Sequence, residues 1–553
     1  MSYPQDPTNV ESKHQKIQSM AIVGHTTHDS CKLWVRLYRP GVWWLVVSEL
    51  PLSGDLDSLD GKEVDNFLLE QPSPVTFYKR TCITKLSDNT HVFEIDSLSA
   101  DKRYYYAVIA DLQHANDIPR RTEVGHHEKK FFRTLPLSPD KIVFGFHSCH
   151  DPFSTASYSE GAWPAYYDSL IDRDAMFSIA GGDQVYVDTN NKEDMYSIWQ
   201  WLASYKNKII KAYRNTEGEL KEEELVLYFT GIYRNYYRIY WNFINLKKVC
   251  ERFPQYMIWD DHEIMDGWGS YSSHERKKLL NKLFQDDDEE TNGHLIQLMF
   301  RAAKHVYHEY QHQHNPDTVI DLHPDKNPIC EWDYHFNVGE FAFYVLDMRG
   351  HHDYERYESG NALLGDQQMK RLKAWLDTDQ VKQAKAVFIA SPVPVVHWGP
   401  FVSSLDVGSL KDDLRDEWEH ETNWQERKKL LNSVFEFSNE SQCSVTFLSG
   451  DVHCSSIYEF EHENFPNAKV FNATSSAISR KPAPEKAEYF MKKSGVISGY
   501  NEMRVNRLYA MSGEYNFFII TASHDGENTS VNINLCWPGG TDREVIQKKV
   551  ELT

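Results

Sequence analysis

Between Met20 and Thr134 short apolar runs alternate with turn residues, and no stretch keeps a helical period. Lys32-Leu33-Trp34-Val35-Arg36-Leu37 and His91-Val92-Phe93-Glu94-Ile95 set apolar and polar side chains on opposite faces, as half-buried strands require. Val42 to Val47 is apolar throughout. Leu98-Ser99-Ala100-Asp101 then feeds Tyr104-Tyr105-Tyr106, the order found at the tyrosine corner of sandwich domains. This pattern predicts an antiparallel β-sandwich, fibronectin- or Ig-like, over residues 20–135, behind a polar tail at 1–19.

From Lys141 the texture changes. Ile142 to Phe146, Ala175 to Ala180, Phe341 to Leu346, Ala386 to Ala390 and Val445 to Leu448 are near-continuous apolar runs of strand length. Helical stretches such as Gln367–Trp375 and Gln425–Phe437 lie between them. Strand, helix, strand predicts an α/β domain over residues 140–553 with its site at the strand ends. A helical insert is expected at about 190–250, where Tyr233, Tyr236, Tyr237, Tyr240 and Trp241 recur on one face. That stripe reads as core packing. Gln285 to Glu290 reads as a solvated loop. Tyr307 to His314, rich in histidine, reads as a solvated helix end, with accessory metal binding as the alternative.

Composition narrows the class. A chain of 553 residues with 41% apolar content forms more than one core. Its formal charge of −22 argues against nucleic-acid or anionic-membrane partners. No apolar stretch reaches the length of a membrane span, and the first twenty residues are polar, without a secretory h-region or twin-arginine signal. The eight cysteines are scattered singly, which fits reduced thiols. Together these features predict a cytoplasmic protein; oligomeric state is left open.

Four strand ends carry the chemistry. His147-Ser148-Cys149-His150-Asp151 follows the first α/β strand, and in extended backbone Cys149 and Asp151 point the same way. A thiolate beside a carboxylate suits a transition metal, although a cysteine after a strand is commonly a small buried residue. Gly181-Gly182-Asp183-Gln184-Val185-Tyr186 offers a carboxylate and, one helical turn on, a phenol; a helix-capping Asp with a packed Tyr is the competing account. Ile258-Trp259-Asp260-Asp261-His262-Glu263 packs ionisable groups directly behind an apolar run, which is costly without a balancing cation or phosphate. Ser449-Gly450-Asp451-Val452-His453 repeats the pattern. Cys/Asp, Asp/Tyr, Asp/His and Asp/His at four strand ends are what a two-metal phosphoryl-transfer site needs. A metal-bound hydroxide would attack phosphorus and a histidine off the metals would protonate the leaving oxygen.

Five segments, SCHD, GGDQVYVD, WDDHEIMDGWGS, LDMRG and SGDVH, in this order behind a sandwich-like N-terminal region, resemble those of the PhoD-like alkaline phosphatases of the calcineurin-like metallophosphoesterase superfamily. The resemblance runs from about Val23 to Asp525. It implies a metallophosphoesterase-type β-sheet sandwich flanked by helices, hydrolysing phosphomonoesters and often diesters. It further implies two or more metal ions, iron(III) with calcium, or zinc, manganese or magnesium in their place. By position, Cys149, Asp183, Tyr186 and His453 would hold the iron-like ion, and Asp183 would bridge to a second, helped by Asp261, Asp151 and Asp451. His262 matches the proton donor. Arg349 either orients the phosphate or pairs structurally with Asp347. Trp268 and Trp398 are expected to pack rather than to flank the substrate.

Two other readings compete. Purple acid phosphatase relatives share a sandwich domain and the GDxxY box, but place Asn-His where this chain has Asp261-His262; the added charge of Asp261 favours a hard second cation such as calcium. A non-catalytic binding protein stabilised by metal would have no use for a free proton donor at His262.

Overall fold

The computed structural model describes residue 7 and residues 16–52, 75–111, 122–125, 130–155, 159–190, 196–322, 329–351, 362–399, 415–539 and 545–552. The alternating N-terminal runs form two antiparallel sheets. Met20–Thr26, Cys31–Arg36 and Thr90–Ile95 make one; Gly41–Ser48, Val75–Ile83, Arg103–Ala110, Thr122–Gly125 and Phe131–Arg133 make the other. Leu33, Val35, Trp43, Leu45, Phe93 and Tyr106 fill the space between them. The tyrosine corner is present: Tyr104 Oη accepts a hydrogen bond from the Ser99 amide at 2.7 Å.

The apolar runs after Lys141 build two larger sheets. The six-stranded sheet runs Gln255–Ile258, Phe177–Gly181, Lys141–His147, Phe517–His524, Thr529–Pro538, Val545–Leu552. Its first three strands are parallel and the rest antiparallel. The eight-stranded sheet has four parallel strands at its centre, Phe341–Val345, Ala386–Ser391, Ser444–Ser449 and Val470–Thr474. Phenylalanines lock the sheets face to face. Phe144 meets Phe343 and Phe388 edge-on at 5.3 and 5.1 Å, and Phe177 meets Phe343 at 5.3 Å. Each such buried ring contributes roughly 1.5–3 kcal/mol through removal from water.

Helices Gly365–Leu376 and Trp424–Ser441 cover the outer face of the eight-stranded sheet, packing Leu372, Leu430, Leu431 and Val434 on Val387 and Val445. Ile198–Ala212, Glu222–Tyr240 and Ile244–Cys250 are the helices expected after Asp188. The aromatic stripe of Tyr233, Tyr236, Tyr237, Tyr240 and Trp241 is buried in the core. The histidine-rich segment corrects its expectation. His312 and His314 are buried, because the chain turns there beneath the N-terminal sheet: a Cβ on Gly24 would meet the His314 carbonyl at 2.4 Å. His312 Nε2 pairs with Thr318 Oγ1 at 2.7 Å, and among the described residues no metal-ligating cluster forms there.

Candidate active site

Parallel strands of both large sheets end at one rim, and the backbone there is tightly constrained. Gly182 has φ +105°, and a Cβ on it would come within 2.8 Å of the Asp260 Cβ. A Cβ on Gly450 would lie 2.5 Å from that of Ser148, so Gly182 lets neighbouring strand ends of the six-stranded sheet touch and Gly450 lets the two large sheets do so. Cys149, Asp183, Asp451 and His453 all have φ between 53° and 64°. Left-handed backbone in non-glycine residues costs about 1–3 kcal/mol each and persists where the surroundings over-determine it, commonly at functional sites.

These bends bring the side chains together. Ligand atoms of Cys149, Asp183 and His453 lie within 4.8 Å of one another, and so do those of Asp183, Asp260, Asp261 and Asp451. A third group joins Asp183, Asp261 and His262 at the same spacing. Tyr186 Oη donates to Asp183 Oδ2 at 2.8 Å and lies 3.3 Å from His453 Nε2. Asp183 therefore belongs to every group.

Electrostatics shows what this cluster needs. Burial, reinforced by the Asp260 and Asp261 carboxylates and opposed by His262, pushes the Asp183 carboxyl up to about 8. Burial and the neighbouring Asp260 raise Asp451 far above the ordinary carboxylate range. Burial and Asp183 likewise push the Cys149 thiol well up. His453 is driven well down by burial and by Arg480. Every one of these groups favours its neutral form until positive charge arrives. Asp183 Oδ1, Asp260 Oδ2 and Asp261 Oδ1 are buried with no hydrogen-bond partner among the described residues. Asp261 Oδ1 has a charged neighbour, Arg349 Nη2 at 3.7 Å, and buried carboxylate oxygens without hydrogen bonds favour a cation. The donors fit one: thiolate, phenolate and imidazole suit a softer or trivalent ion, and the all-oxygen side suits a hard one.

His262 stands beside the cluster. Its Nδ1 lies 2.9 and 3.0 Å from the two carboxylate oxygens of Asp188, whose Oδ2 also accepts from the Asp266 amide at 2.6 Å. The imidazole lies against the Tyr186 ring with centroids 4.0 Å apart. Burial alone would lower its pKa, but Asp188, Asp261 and Asp183 outweigh that and hold it well above the usual histidine range.

Two expected residues lie apart. Asp151 is fully buried against Arg480, Thr189 Oγ1 at 2.7 Å and Tyr240 Oη at 3.2 Å, so its oxygens are taken up outside the ligand cluster. Arg349 is also fully buried. It binds Asp260, Asp416 at 2.5 Å and the Trp268 carbonyl at 3.1 Å, and it braces the acidic cluster from behind rather than facing a phosphate. Its link to Asp347 runs through its backbone amide, at 3.1 Å. Trp268 packs on Phe300 at 4.5 Å, and Trp398 Nε1 binds Glu417 at 3.2 Å. Asp260, Asp188 and Arg480 went unassigned at the level of sequence. Adjacency to Asp261 signals the first, and the second closes the GGDQVYVD run. Arg480, in Ser479-Arg480-Lys481-Pro482, carries no local signal.

Two facing β-layers flanked by helices bring Cys, Asp and His side chains together at their strand ends. The profile of the PhoD-like phosphatase family matches residues 144–518, and the chain belongs to that family. It is 22% identical over 441 residues to alkaline phosphatase D of Bacillus subtilis (strain 168), a match covering 76% of this chain and 64% of that one. An uncharacterized protein of Saccharomyces cerevisiae, YGR266W, is 23% identical over 375 residues, covering 57% of this chain and 53% of its own. The chain thus spans less than two thirds of the length of either relative. A solved structure of PhoD superposes with a TM-score of 0.59 at 16% identity, covering 98% of this chain and 93% of that one. The fold is shared.

Proposed function

We propose that this protein hydrolyses phosphomonoesters and phosphodiesters of small molecules at a mixed-metal centre. Cys149, Asp183, Tyr186 and His453 would hold an iron(III)-like ion. Asp261 and Asp451, with Asp260 at their side and Asp183 shared, would hold a harder one such as calcium. Bound cations supply Lewis-acid charge and a water whose pKa falls toward about 7. The chain's own residues do the rest. Asp188 fixes His262 through Nδ1, which leaves Nε2 to carry the proton delivered to the leaving oxygen. Arg349 neutralises Asp260 and Asp416, so that the two acids can sit beside the cluster without repelling substrate.

The observation that carries this reading is the convergence of buried Asp183, Asp260 and Asp261, each with a carboxylate oxygen lacking a hydrogen-bond partner among the described residues, and of a thiol, a phenol and an imidazole on Asp183. Its test is hydrolysis of a chromogenic aryl phosphate, abolished by chelator and restored by metal. A visible absorption band from tyrosinate–iron(III) charge transfer, lost in Tyr186→Phe, would support iron; a colourless, fully active protein would retain hydrolysis and remove iron. In His262→Ala, activity should fall about 10²- to 10⁴-fold with metal content kept. Unchanged activity would remove His262 as the proton donor, whereas a wild type that hydrolyses no ester would favour a binding protein instead. A reducing, cytoplasmic setting is part of the same proposal, supported by eight cysteines that are all free. Among the described residues no helix is long and apolar enough to cross a membrane.

A further inference from the structure

Resting on the phosphatase reading above, we propose that Arg480 binds the phosphoryl group of the substrate and makes the site prefer monoesters to diesters. Arg480 lies on the loop that leaves strand Val470–Thr474, and its amide donates to the Cys149 carbonyl at 3.0 Å. Its guanidinium sits 4.7 Å over the Tyr186 ring, whose hydroxyl touches both Asp183 and His453. The Arg480 side chain thus reaches the ligand cluster itself. Consecutive residues arrange the surroundings: Asp188 holds His262, and Thr189 Oγ1 lies 3.2 Å from Arg480 Nη1. Proton donor and fixed cation are thereby set against one aromatic ring.

Asp151 explains the geometry. It is buried, and its ion pair with Arg480 Nη1 anchors one edge of the guanidinium. The side chain remains 28% exposed, and its hydrogen bonds to Asp151 and Thr189 both run from Nη1. A planar fork held at one edge and open at the other is built to receive a phosphoryl oxygen. Arg349, at 1% exposure with Nε and Nη1 engaged, cannot do this. A monoester presents a third non-bridging oxygen and a second negative charge, whereas a diester presents two non-bridging oxygens and one charge. With two oxygens turned to the cations, only the monoester has one left for Arg480.

The test compares kcat/KM of the metal-loaded full chain on an aryl phosphate and on a bis-aryl phosphodiester. Arg480→Ala should lower the monoester value about 10- to 100-fold, as expected for loss of a charge-assisted hydrogen bond, and the diester value less than about 3-fold. Metal content should stay unchanged, and Arg480→Lys should fall between the two. Equal losses on both esters, or no monoester loss, would overturn the proposal. If Arg480→Ala does not fold, the lysine variant decides by the same ratio. Should the wild type hydrolyse neither ester, the phosphatase reading fails. Titration with inorganic phosphate then judges Arg480 separately: affinity lowered about 10-fold in Arg480→Ala supports the contact, and unchanged affinity removes it.

Discussion

At the scale of the residue, Asp188 and Gly182 carry separable tasks. Asp188 selects the His262 tautomer and orients the ring, so Asp188→Asn should lower kcat about 10²- to 10⁴-fold with metal content intact. Equal kcat in steady-state assays of the two proteins would remove that role. Gly182 allows the Asp260 turn to approach, and alanine there meets both a positive φ and a Cβ contact of 2.8 Å. Gly182→Ala should cost about 1–3 kcal/mol, read as a lower denaturant midpoint, and should weaken cation retention. Asp183, Asp261, Asp451 and His453 were legible in the sequence because each follows an apolar run at a strand tip. Arg480 was not, since nothing local marks a loop residue whose partners lie some three hundred positions earlier.

At the scale of the element, Asp88 ties the N-terminal sheets to the helices. It binds Arg36 at 3.0 Å from one side, and Arg238 and Tyr310 from the helices Glu222–Tyr240 and Glu289–Tyr310. Burial alone would raise its pKa, but the hydrogen bonds and charges of the two arginines hold it below the ordinary carboxylate value of 3.8. A depressed acid contributes stability above its unfolded pKa and loses it as pH falls through the folded one. Melting temperature should therefore drop on acidification below about pH 4, and this fraction of the drop should vanish in Asp88→Asn. At neutral pH that variant leaves the buried Arg36 and the half-buried Arg238 guanidinium groups short of a partner, which costs about 3 kcal/mol. The parallel strands were readable because strands covered on both faces are nearly all apolar. No strand beyond Leu448 is predicted, since strands such as Thr529–Pro538 interleave Val531, Ile533 and Leu535 with Asn532 and Asn534 and lack a continuous apolar run. His312 and His314 misled because burial under a neighbouring sheet leaves no local trace.

For the whole molecule, the site depends on both large sheets at once. Cys149, Asp183, Asp260, Asp261 and His262 follow strands of the six-stranded sheet, whereas Asp451 and His453 follow a strand of the eight-stranded one. Any cation bound between them stabilises the folded chain by mass action, so chelation should lower the melting temperature and added metal should restore it. A midpoint indifferent to chelator would contradict this. The phenylalanine layer joins Lys141–His147 and Phe177–Gly181 to the first three strands of the eight-stranded sheet, and the ligand groups follow the ends of these strands and their neighbours. Ions held there by Asp183, Asp261, Asp451 and His453 would work as a rivet at the open end of a hinge. Once they are drawn out, amide hydrogen exchange should quicken first at Gly181–Asp183 and Gly450–His453, while Phe144, Phe343 and Phe388 stay protected.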